Sequence, residues 1–300
     1  MTARSCSLAH RLLAVGILSA LPASATVIFA ENFNSTNVGQ VPTGWTRSTG
    51  TDATVSVSSV GQEGNGLEIA DFGTAATNAS TTISAGLNNT NNLLRLTFDF
   101  RVTSFSSTGN NQNPRLVLRD STTANSGMIV GFSTAGIADG DSNADNFLFA
   151  APHPASSSSV ASVGGSAVQI GLNAGTGWQT GFDFGTYDAA NSFANTTGGD
   201  FINFQLVYDY KTGSVVGVAT RGGNSANFSM TLQSGLAFSA GSLIFASGGA
   251  NGTPAVASTS SAYLDNVMIE VIPEPSSTAL VAAALSGALL IRRRKNQAPA

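Results

Sequence analysis

The chain of 300 residues has few of the residue types that carry most enzyme chemistry. It contains one cysteine, Cys6, and two histidines, of which His153 lies between two prolines in a serine-rich segment. A single thiol excludes a disulfide within the chain, and two distant histidines exclude the usual zinc sites. A Ser-His-Asp triad needs a rigidly held histidine, for which a proline-flanked segment is a poor setting. We therefore expect no chemistry of these three kinds.

Charge is also scarce, since Asp, Glu, Lys and Arg make up 10% of the chain. Between Thr26 and Ile272 there are 16 acidic and 7 basic residues, a formal charge of about −9. Such an acidic surface argues against nucleic acid or an anionic lipid surface as the partner. Serine, threonine, asparagine and glycine are abundant instead, which suits an extracellular protein.

Alternation of apolar and polar residues with a period of two is the dominant pattern. In LLRLTFDFRV (93–102), leucine and phenylalanine fall on one face, and arginine, threonine and aspartate fall on the other. FINFQLVYDY (201–210) repeats the pattern, and Lys211-Thr212-Gly213 then turns the chain into the next strand, which predicts a hairpin. No amphipathic helix of useful length lies between the two ends of the chain. The pattern predicts an all-β, antiparallel sandwich whose strands have one buried and one solvent-facing side.

Further strand candidates are short runs rich in β-branched and aromatic residues. They are Val27–Phe33, Ala53–Ser58, Gly66–Ala70, Arg115–Arg119, Met128–Phe132, Phe147–Phe149, Ala167–Leu172, Phe228–Leu232, Ser242–Phe245 and Ala262–Val271.

The first 25 residues have the features of an export signal. Arg4 and Arg11 supply positive charge, Leu12–Leu21 is apolar, and Ala23-Ser24-Ala25 is a small-residue cleavage site. The sequence therefore predicts an N-terminal signal helix over residues 1–25.

The last residues combine a short apolar run with a basic cluster. Thr278–Ile291 has no charge, and its 14 residues would form a helix about 21 Å long, short for a hydrocarbon core of about 30 Å. Four cations follow directly, and such a cluster stays on the cytoplasmic side. They are Arg292, Arg293, Arg294 and Lys295. We expect a short transmembrane helix that inserts transiently in the inner membrane; a plain tail anchor is the alternative.

The order Pro273-Glu274-Pro275, short apolar helix and arginine-rich end resembles the PEP-CTERM sorting signal of Gram-negative bacteria. The resemblance implies export, processing by an exosortase-type membrane protease, and release or attachment at the cell surface. Proteins of this kind are often associated with exopolysaccharide and biofilm. It divides the chain into a signal peptide (1–25), a β-sandwich domain (26–272) and a sorting signal (273–300).

Three segments of the predicted sandwich carry a second resemblance. They are ENFNSTNVGQVPTGW (31–45), the hairpin YDYKTGSVVG (208–217) and AYLDNVMIEV (262–271). Their order is similar to that in concanavalin A-like or laminin-G-like jelly rolls, and galactose-binding-type jelly rolls have similar ends. The resemblance implies a jelly-roll β-sandwich in which the first and last strands pair.

An acidic stretch, DGDSNADN, offers a candidate calcium site. Its alternate oxygen-bearing residues are Asp139, Asp141, Asn143 and Asp145. Calcium takes six to eight oxygen ligands, and this spacing resembles the first half of an EF-hand loop. Ala144 and Ala150 stand where that loop needs glycine and glutamate, so the site would be partial. A solvated acidic turn is the alternative interpretation. A second hypothesis places a structural calcium between Glu31 and Asp265, if the terminal strands pair.

Two tryptophans are candidate sugar-stacking platforms, because an aromatic face packs well on a pyranose ring. Trp178 is the stronger candidate and Trp45 the weaker, while packing in the core is the alternative for both. Glycoside hydrolysis needs two opposed carboxylates, whereas Glu68 and Asp71, the nearest pair, would point to opposite faces of a strand. The sequence thus favours a non-catalytic structural or adhesive matrix protein over a calcium-dependent carbohydrate-binding module, and a glycosidase is less favoured still.

Overall fold

The structure is a computed structural model, and it describes twelve stretches of the chain. They are residues 25–48, 54–70, 77–83, 92–102, 114–120, 127–133, 147–152, 168–172, 201–221, 224–238, 241–247 and 261–273. Within these stretches the chain forms fifteen strands and no helix. No helix among the described residues is long and apolar enough to cross a membrane. The described part of the protein is therefore all-β.

Eight strands form the first sheet, in which adjacent strands are hydrogen-bonded. Their spatial order is β13 (Asn224–Thr231), β12 (Ser214–Arg221), β11 (Ile202–Asp209), β6 (Asn92–Val102), β15 (Ser261–Pro273), β4 (Gly66–Ala70) and β3 (Thr54–Ser58), and β1 (Thr26–Glu31) also pairs with β15. The first and last strands are thus neighbours, as the sequence comparison with jelly rolls implied.

Seven strands form the second sheet, and every pair in it is antiparallel. Their order is β10 (Val168–Leu172), β9 (Phe147–Pro152), β8 (Gly127–Ser133), β7 (Arg115–Arg119), β14 (Gly241–Ser247), β5 (Thr77–Ile83) and β2 (Trp45–Ser48). Val27–Val271 forms one compact unit. All side-chain contacts described below lie within Val27–Val271.

The core lies between the two sheets and is rich in phenylalanine. Phe98 of β6 stacks on Phe204 of β11 with ring centroids 4.9 Å apart, and Phe100 meets Phe245 of the opposite sheet at 6.3 Å. Such pairs add about 0.5–1.5 kcal/mol beyond the area that they bury. The alternation predicted for β6 and β11 is confirmed, since one core cluster contains Leu94, Leu96, Phe98, Phe100, Phe204 and Leu206.

The alternation of a buried and a solvent-facing side, which was predicted for many strands, does not hold in the middle of the seven-stranded sheet. Leu116 and Leu118 of β7 belong to the core cluster, yet Val117 between them is 0% exposed. Its register partners Ile129 and Ile244 are 1% and 6% exposed. β7, β8 and β14 are therefore buried on both faces, as is typical of continuous apolar runs.

Two strands escaped the sequence analysis because they carry little hydrophobic signal. β5 reads TNASTTI and β2 reads WTRS. They form because β14 supplies a hydrogen-bonding edge: Ile244 aligns with Ser80, and Ser80 aligns with Thr46. Pairing within the sheet, rather than local propensity, makes them strands.

The predicted hairpin between β11 and β12 is confirmed. Asp209 caps the turn, accepting hydrogen bonds from Lys211 N at 2.8 Å and from the Thr212 hydroxyl at 2.7 Å. Gly213 adopts a φ of 74°, a left-handed conformation that glycine takes without strain.

Candidate functional site

The last strand contains an irregularity that shapes the surface beside it. Leu264 and Val267 both pack in the core although they are three residues apart, and strict alternation would place them on opposite faces. Asn266 between them has a φ of 48°, in the left-handed region that asparagine tolerates better than most residues. β15 thus accommodates one extra residue in the manner of a β-bulge, and a β-bulge changes the direction in which the neighbouring side chains point.

Asp265, within the bulge, fastens a neighbouring loop to β15. Its carboxylate is 0% exposed and accepts three backbone N–H groups, from Gln62 at 2.7 Å, Glu63 at 3.2 Å and Asn266 at 2.7 Å. Burial raises the pKa of Asp265, more than these hydrogen bonds lower it, and nearby Asp99 raises it further. The side chain thus acts as a structural clasp for the loop before β4.

The segment after β1 is fastened to that same loop. The Asn34 side chain donates to the Glu63 carbonyl at 2.9 Å and accepts from Asn65 N at 2.7 Å. Gly64 has a φ of 92°, and a Cβ there would collide with Asn34 Oδ1. The loops that flank β1 and β4 are therefore held in one arrangement.

A row of polar side chains crosses the outer face of the eight-stranded sheet. Asp99 of β6 is 7% exposed, and its two oxygens accept hydrogen bonds from the side-chain amides of Asn203 and Asn266, both at 2.8 Å. A carboxylate only accepts, so both amides must point their NH2 groups at it. Their carbonyl oxygens are left available to other donors, and Gln205 Nε2 approaches that of Asn203 at 3.5 Å.

Asn203, Gln205 and Asn266 line a groove of about 680 Å³. We call it the polar groove, and its lining residues are Ala30, Glu31, Asn32, Ser35, Thr97, Asn203, Gln205, Asn266, Val267 and Met268. Four of the ten carry side-chain amides and two carry hydroxyls, groups that both donate and accept hydrogen bonds. Such a lining suits a ligand rich in hydroxyl groups.

Two arginines of β6 lie on the same outer face in different surroundings. Arg95 forms a salt bridge with Glu270 of β15, and its Nε donates to Oε2 at 2.6 Å. Arg101 instead lies over two rings, with its guanidinium carbon 5.9 Å from the centroid of Phe201 and 5.6 Å from that of Tyr263. These are cation–π distances.

Trp45 is not a sugar platform, which corrects one of the sequence-based candidates. It is 7% exposed and belongs to the core cluster, where its ring lies 6.4 Å from Phe29 and 5.8 Å from Phe33. An indole at the start of β2 supplies much of the apolar surface of a short polar strand, which explains its burial.

The carboxylates of Glu31 and Asp265 lie on adjacent strands, as the calcium hypothesis required. Each is engaged with backbone N–H groups, however, and Glu31 Oε1 accepts from Phe33 N at 2.9 Å. Among the described residues no three His, Cys, Asp or Glu side chains are grouped closely enough to hold a metal ion. A calcium ion at this position stays a prediction.

Most other sequence-based candidates lie outside the described residues. This applies to the acidic stretch of Asp139, Asp141, Asn143 and Asp145, to Trp178 and His153, to Glu274 and Pro275, and to the cluster Arg292, Arg293, Arg294 and Lys295. Pro273 is described and is the final residue of β15.

Of the residues that line the polar groove, the sequence analysis singled out only Glu31, as a calcium ligand, although it predicted the outward orientation of Thr97, Asn203 and Gln205. The available signal was the run of amides and acids at alternate positions, Asn203 and Gln205 on β11 beside Thr97 and Asp99 on β6. The bulge at Asn266 has no counterpart in a simple alternation pattern, so its contribution was not visible.

Comparison with known proteins adds a distant likeness in architecture. No protein-family model matches the chain, and no curated protein matches it significantly in sequence. Among solved structures, a carbohydrate esterase from the Shiga toxin-encoding bacteriophage phi24B is similar at a TM-score of 0.48 and 14% identity, covering 83% of this chain and 100% of the esterase.

Two lectins are similar to the same extent. The lectin from Bauhinia forficata, in complex with GalNAc, has a TM-score of 0.45 and 13% identity and covers 83% of this chain and 99% of its own. Lectin II from Ulex europaeus has a TM-score of 0.46 and 13% identity, with 82% and 100% covered. Values this low carry no argument about what this chain binds. The class that its own strands define is a two-sheet antiparallel β-sandwich.

Proposed function

We propose that this chain is an exported, non-catalytic adhesive protein of the extracellular matrix that binds a glycan in the polar groove. The observation that carries the proposal is the amide lining, in which Asp99 fixes the orientation of Asn203 and Asn266. Amides held in advance lose little conformational freedom on binding, and each can satisfy a sugar hydroxyl. Gln205 and Asn32 are exposed beside them and extend the set.

A non-catalytic role is supported by the state of the carboxylates at the groove. Both oxygens of Asp99 accept amide hydrogen bonds, and Glu31 accepts a backbone N–H. Both carboxylates thus already hold parts of the protein together, whereas glycoside hydrolysis uses two carboxylates opposed across a sugar bond.

We further infer that the sandwich is a jelly roll of the concanavalin A-like type, with β1 beside β15 as support. For localisation, we propose that residues 1–25 direct export, that the apolar run Thr278–Ile291 inserts transiently in the inner membrane, and that Pro273-Glu274-Pro275 marks the chain for processing by an exosortase-type protease. The final location would be the cell surface or medium of a Gram-negative bacterium. Exopolysaccharide is then the most direct source of the glycan.

The glycan proposal is tested by binding of the purified protein to a panel of neutral and acidic polysaccharides. Gln205→Ala should weaken binding about three- to tenfold, since one hydrogen bond of about 0.5–1.5 kcal/mol is lost. Gln233→Ala is the matched control, because Gln233 is also exposed and does not line the groove. Equal effects of the two substitutions, or no binding to any polymer, would contradict the proposal.

The export proposal is tested by intact-mass and terminal-peptide analysis of the protein from native cells and medium. Chains that begin near Thr26 and end near Pro275 are expected. Persistence of peptides from 282–295 in the mature protein would instead indicate a permanent membrane anchor.

A further inference from the structure

We propose that Arg101 forms a carboxylate subsite beside the polar groove, and that the bound glycan is therefore acidic, a polysaccharide containing uronic acid. The inference rests on the proposed function and specifies the class of glycan. Arg101 lies on the outer face of the eight-stranded sheet, and its guanidinium N–H groups form no hydrogen bond to any described residue.

Arg101 is held in place by rings rather than by an acid. Phe201 and Tyr263 lie on its guanidinium at cation–π distances, and the Tyr263 hydroxyl is itself fixed by donating to Glu68 Oε1 at 2.9 Å. Within the described residues Arg101 forms no salt bridge, and its buried Nε has no hydrogen-bond partner. Aromatic contacts orient a guanidinium but satisfy none of its N–H donors.

Among the described residues, neither of the neighbouring acids forms a salt bridge with this cation. Both oxygens of Asp99 are bound by side-chain amides, and Glu68 accepts from Tyr263. Arg95 lies on the same face of the same strand, but its guanidinium already forms a salt bridge with Glu270. An incoming carboxylate would thus find an unpaired donor at Arg101 and an occupied one at Arg95.

Strand geometry places Arg101 within reach of a ligand in the groove. It lies two residues beyond Asp99 on β6, and Phe201 lies two residues before Asn203 on the adjacent strand, so both are on the groove's side of the sheet. Two residues of strand span about 7 Å, comparable to the length of one sugar residue. A chain whose hydroxyls contact the amides can place its next sugar at Arg101.

Carboxylate is the ligand chemistry that this arrangement fits best. A planar guanidinium offers parallel N–H groups that match a carboxylate in a bidentate pair. Because Nε is buried while the residue is partly exposed, the carboxylate would approach the terminal Nη1 and Nη2 atoms. The excess of acidic residues disfavours polyanions at long range, so a specific local cation is what selective binding requires.

The test measures binding of the full chain to polygalacturonate, alginate and hyaluronate, each beside its carboxyl-reduced neutral derivative. The native protein should bind at least one acidic polymer about tenfold more tightly than its neutral counterpart. Arg101→Gln should remove this preference and leave affinity for the neutral polymer unchanged, and Arg101→Lys should keep part of it. Arg95→Gln is the matched control and should retain the preference.

The outcomes separate the subsite from the groove. Equal binding of acidic and neutral polymers, with Gln205→Ala weakening both, would overturn the carboxylate subsite and leave glycan binding in place. A preference that survives Arg101→Gln would also overturn it. Failure of the native protein to bind any polymer would overturn both proposals. Circular dichroism and thermal melting of Arg101→Gln show whether a loss of preference arises in folded protein.

Discussion

The two ends of the outer face of the eight-stranded sheet make opposite use of the same residue type. Arg95 and Arg101 both point outward from β6, six residues apart. Arg95 is neutralised by Glu270, which is 7% exposed, whereas Arg101 lies between two aromatic rings with no salt bridge to a described residue. The salt bridge of Arg95 compensates the mostly buried charge of Glu270 and therefore contributes to stability. The aromatic contacts of Arg101 orient a cation that has no acidic partner among the described residues, and such a cation is suited to binding a ligand.

Loss of the Asp265 clasp, which fastens the loop before β4 to β15, should have the largest effect on stability. Asp265→Ala leaves three backbone N–H groups without their acceptor, so the free energy of unfolding should fall by roughly 2–4 kcal/mol. Asp209→Ala is the control in an exposed turn, where a loss of about 0.5–1 kcal/mol is expected. Urea denaturation measures both. Equal losses would show that the clasp contributes no more than a surface turn.

Breaking the paired end should have the next largest effect. Arg95→Met leaves the carboxylate of Glu270 unpaired in a mostly buried position, which should cost roughly 1–3 kcal/mol. Adding Glu270→Gln to this variant should recover part of the loss, because it removes the uncompensated charge. If the double variant is as unstable as the sum of the two single variants, the two side chains are not coupled.

Breaking the unpaired end should cost less. Arg101→Gln removes two partly exposed cation–π contacts, and the free energy of unfolding should fall by about 0.5–1 kcal/mol. Thermal melting of this variant beside Arg95→Met tests the contrast directly. If Arg101→Gln lowers the free energy of unfolding more than Arg95→Met does, Arg101 and not Arg95 is the arginine that serves stability.

The pH dependence should be the smallest effect, because two carboxylates act in opposite directions. Burial raises the pKa of Asp265 above its ordinary 3.8, so its stabilising contribution is present below 3.8 and is lost as the pH rises through the folded-state pKa. For Asp209 the shift is in the other direction, because the hydrogen bond that it accepts from Thr212 is the main cause that lowers its pKa. The stabilising contribution of Asp209 is therefore present above pH 3.8 and is lost as the pH falls through the folded-state pKa.

Carboxyl titration followed by NMR measures both groups in one sample. Asp265 should titrate above Asp209, and Asp265→Asn should flatten the fall in stability that occurs above pH 3.8. A pKa of Asp265 below that of Asp209 would show that the hydrogen bonds from the three backbone N–H groups lower the pKa of Asp265 more than burial raises it.

The sequence predicted much of the sheet and little of the groove, for a physical reason that particular residues show. Leu94, Leu96 and Phe204 have large apolar side chains at alternate positions, and burial of such side chains is favourable in any sheet context. Ser80 and Thr46 lack that signal, so their strands were missed. The candidate site combines residues of β6, β11 and β15, and nothing local in the sequence links them.

By itself, the sequence determined the all-β class, the β11–β12 hairpin and the outward direction of Asp99 and Arg101, because a strand's side chains alternate whatever lies beside it. Only the tertiary structure decided which arginine is paired. Glu270 lies 175 residues from Arg95 along the chain, and strand order alone makes them neighbours. The bulge at Asn266 likewise breaks the simple alternation of β15, and no pattern in the sequence marks it. Polar contacts are short-ranged, so their partners are set by the packing of distant strands.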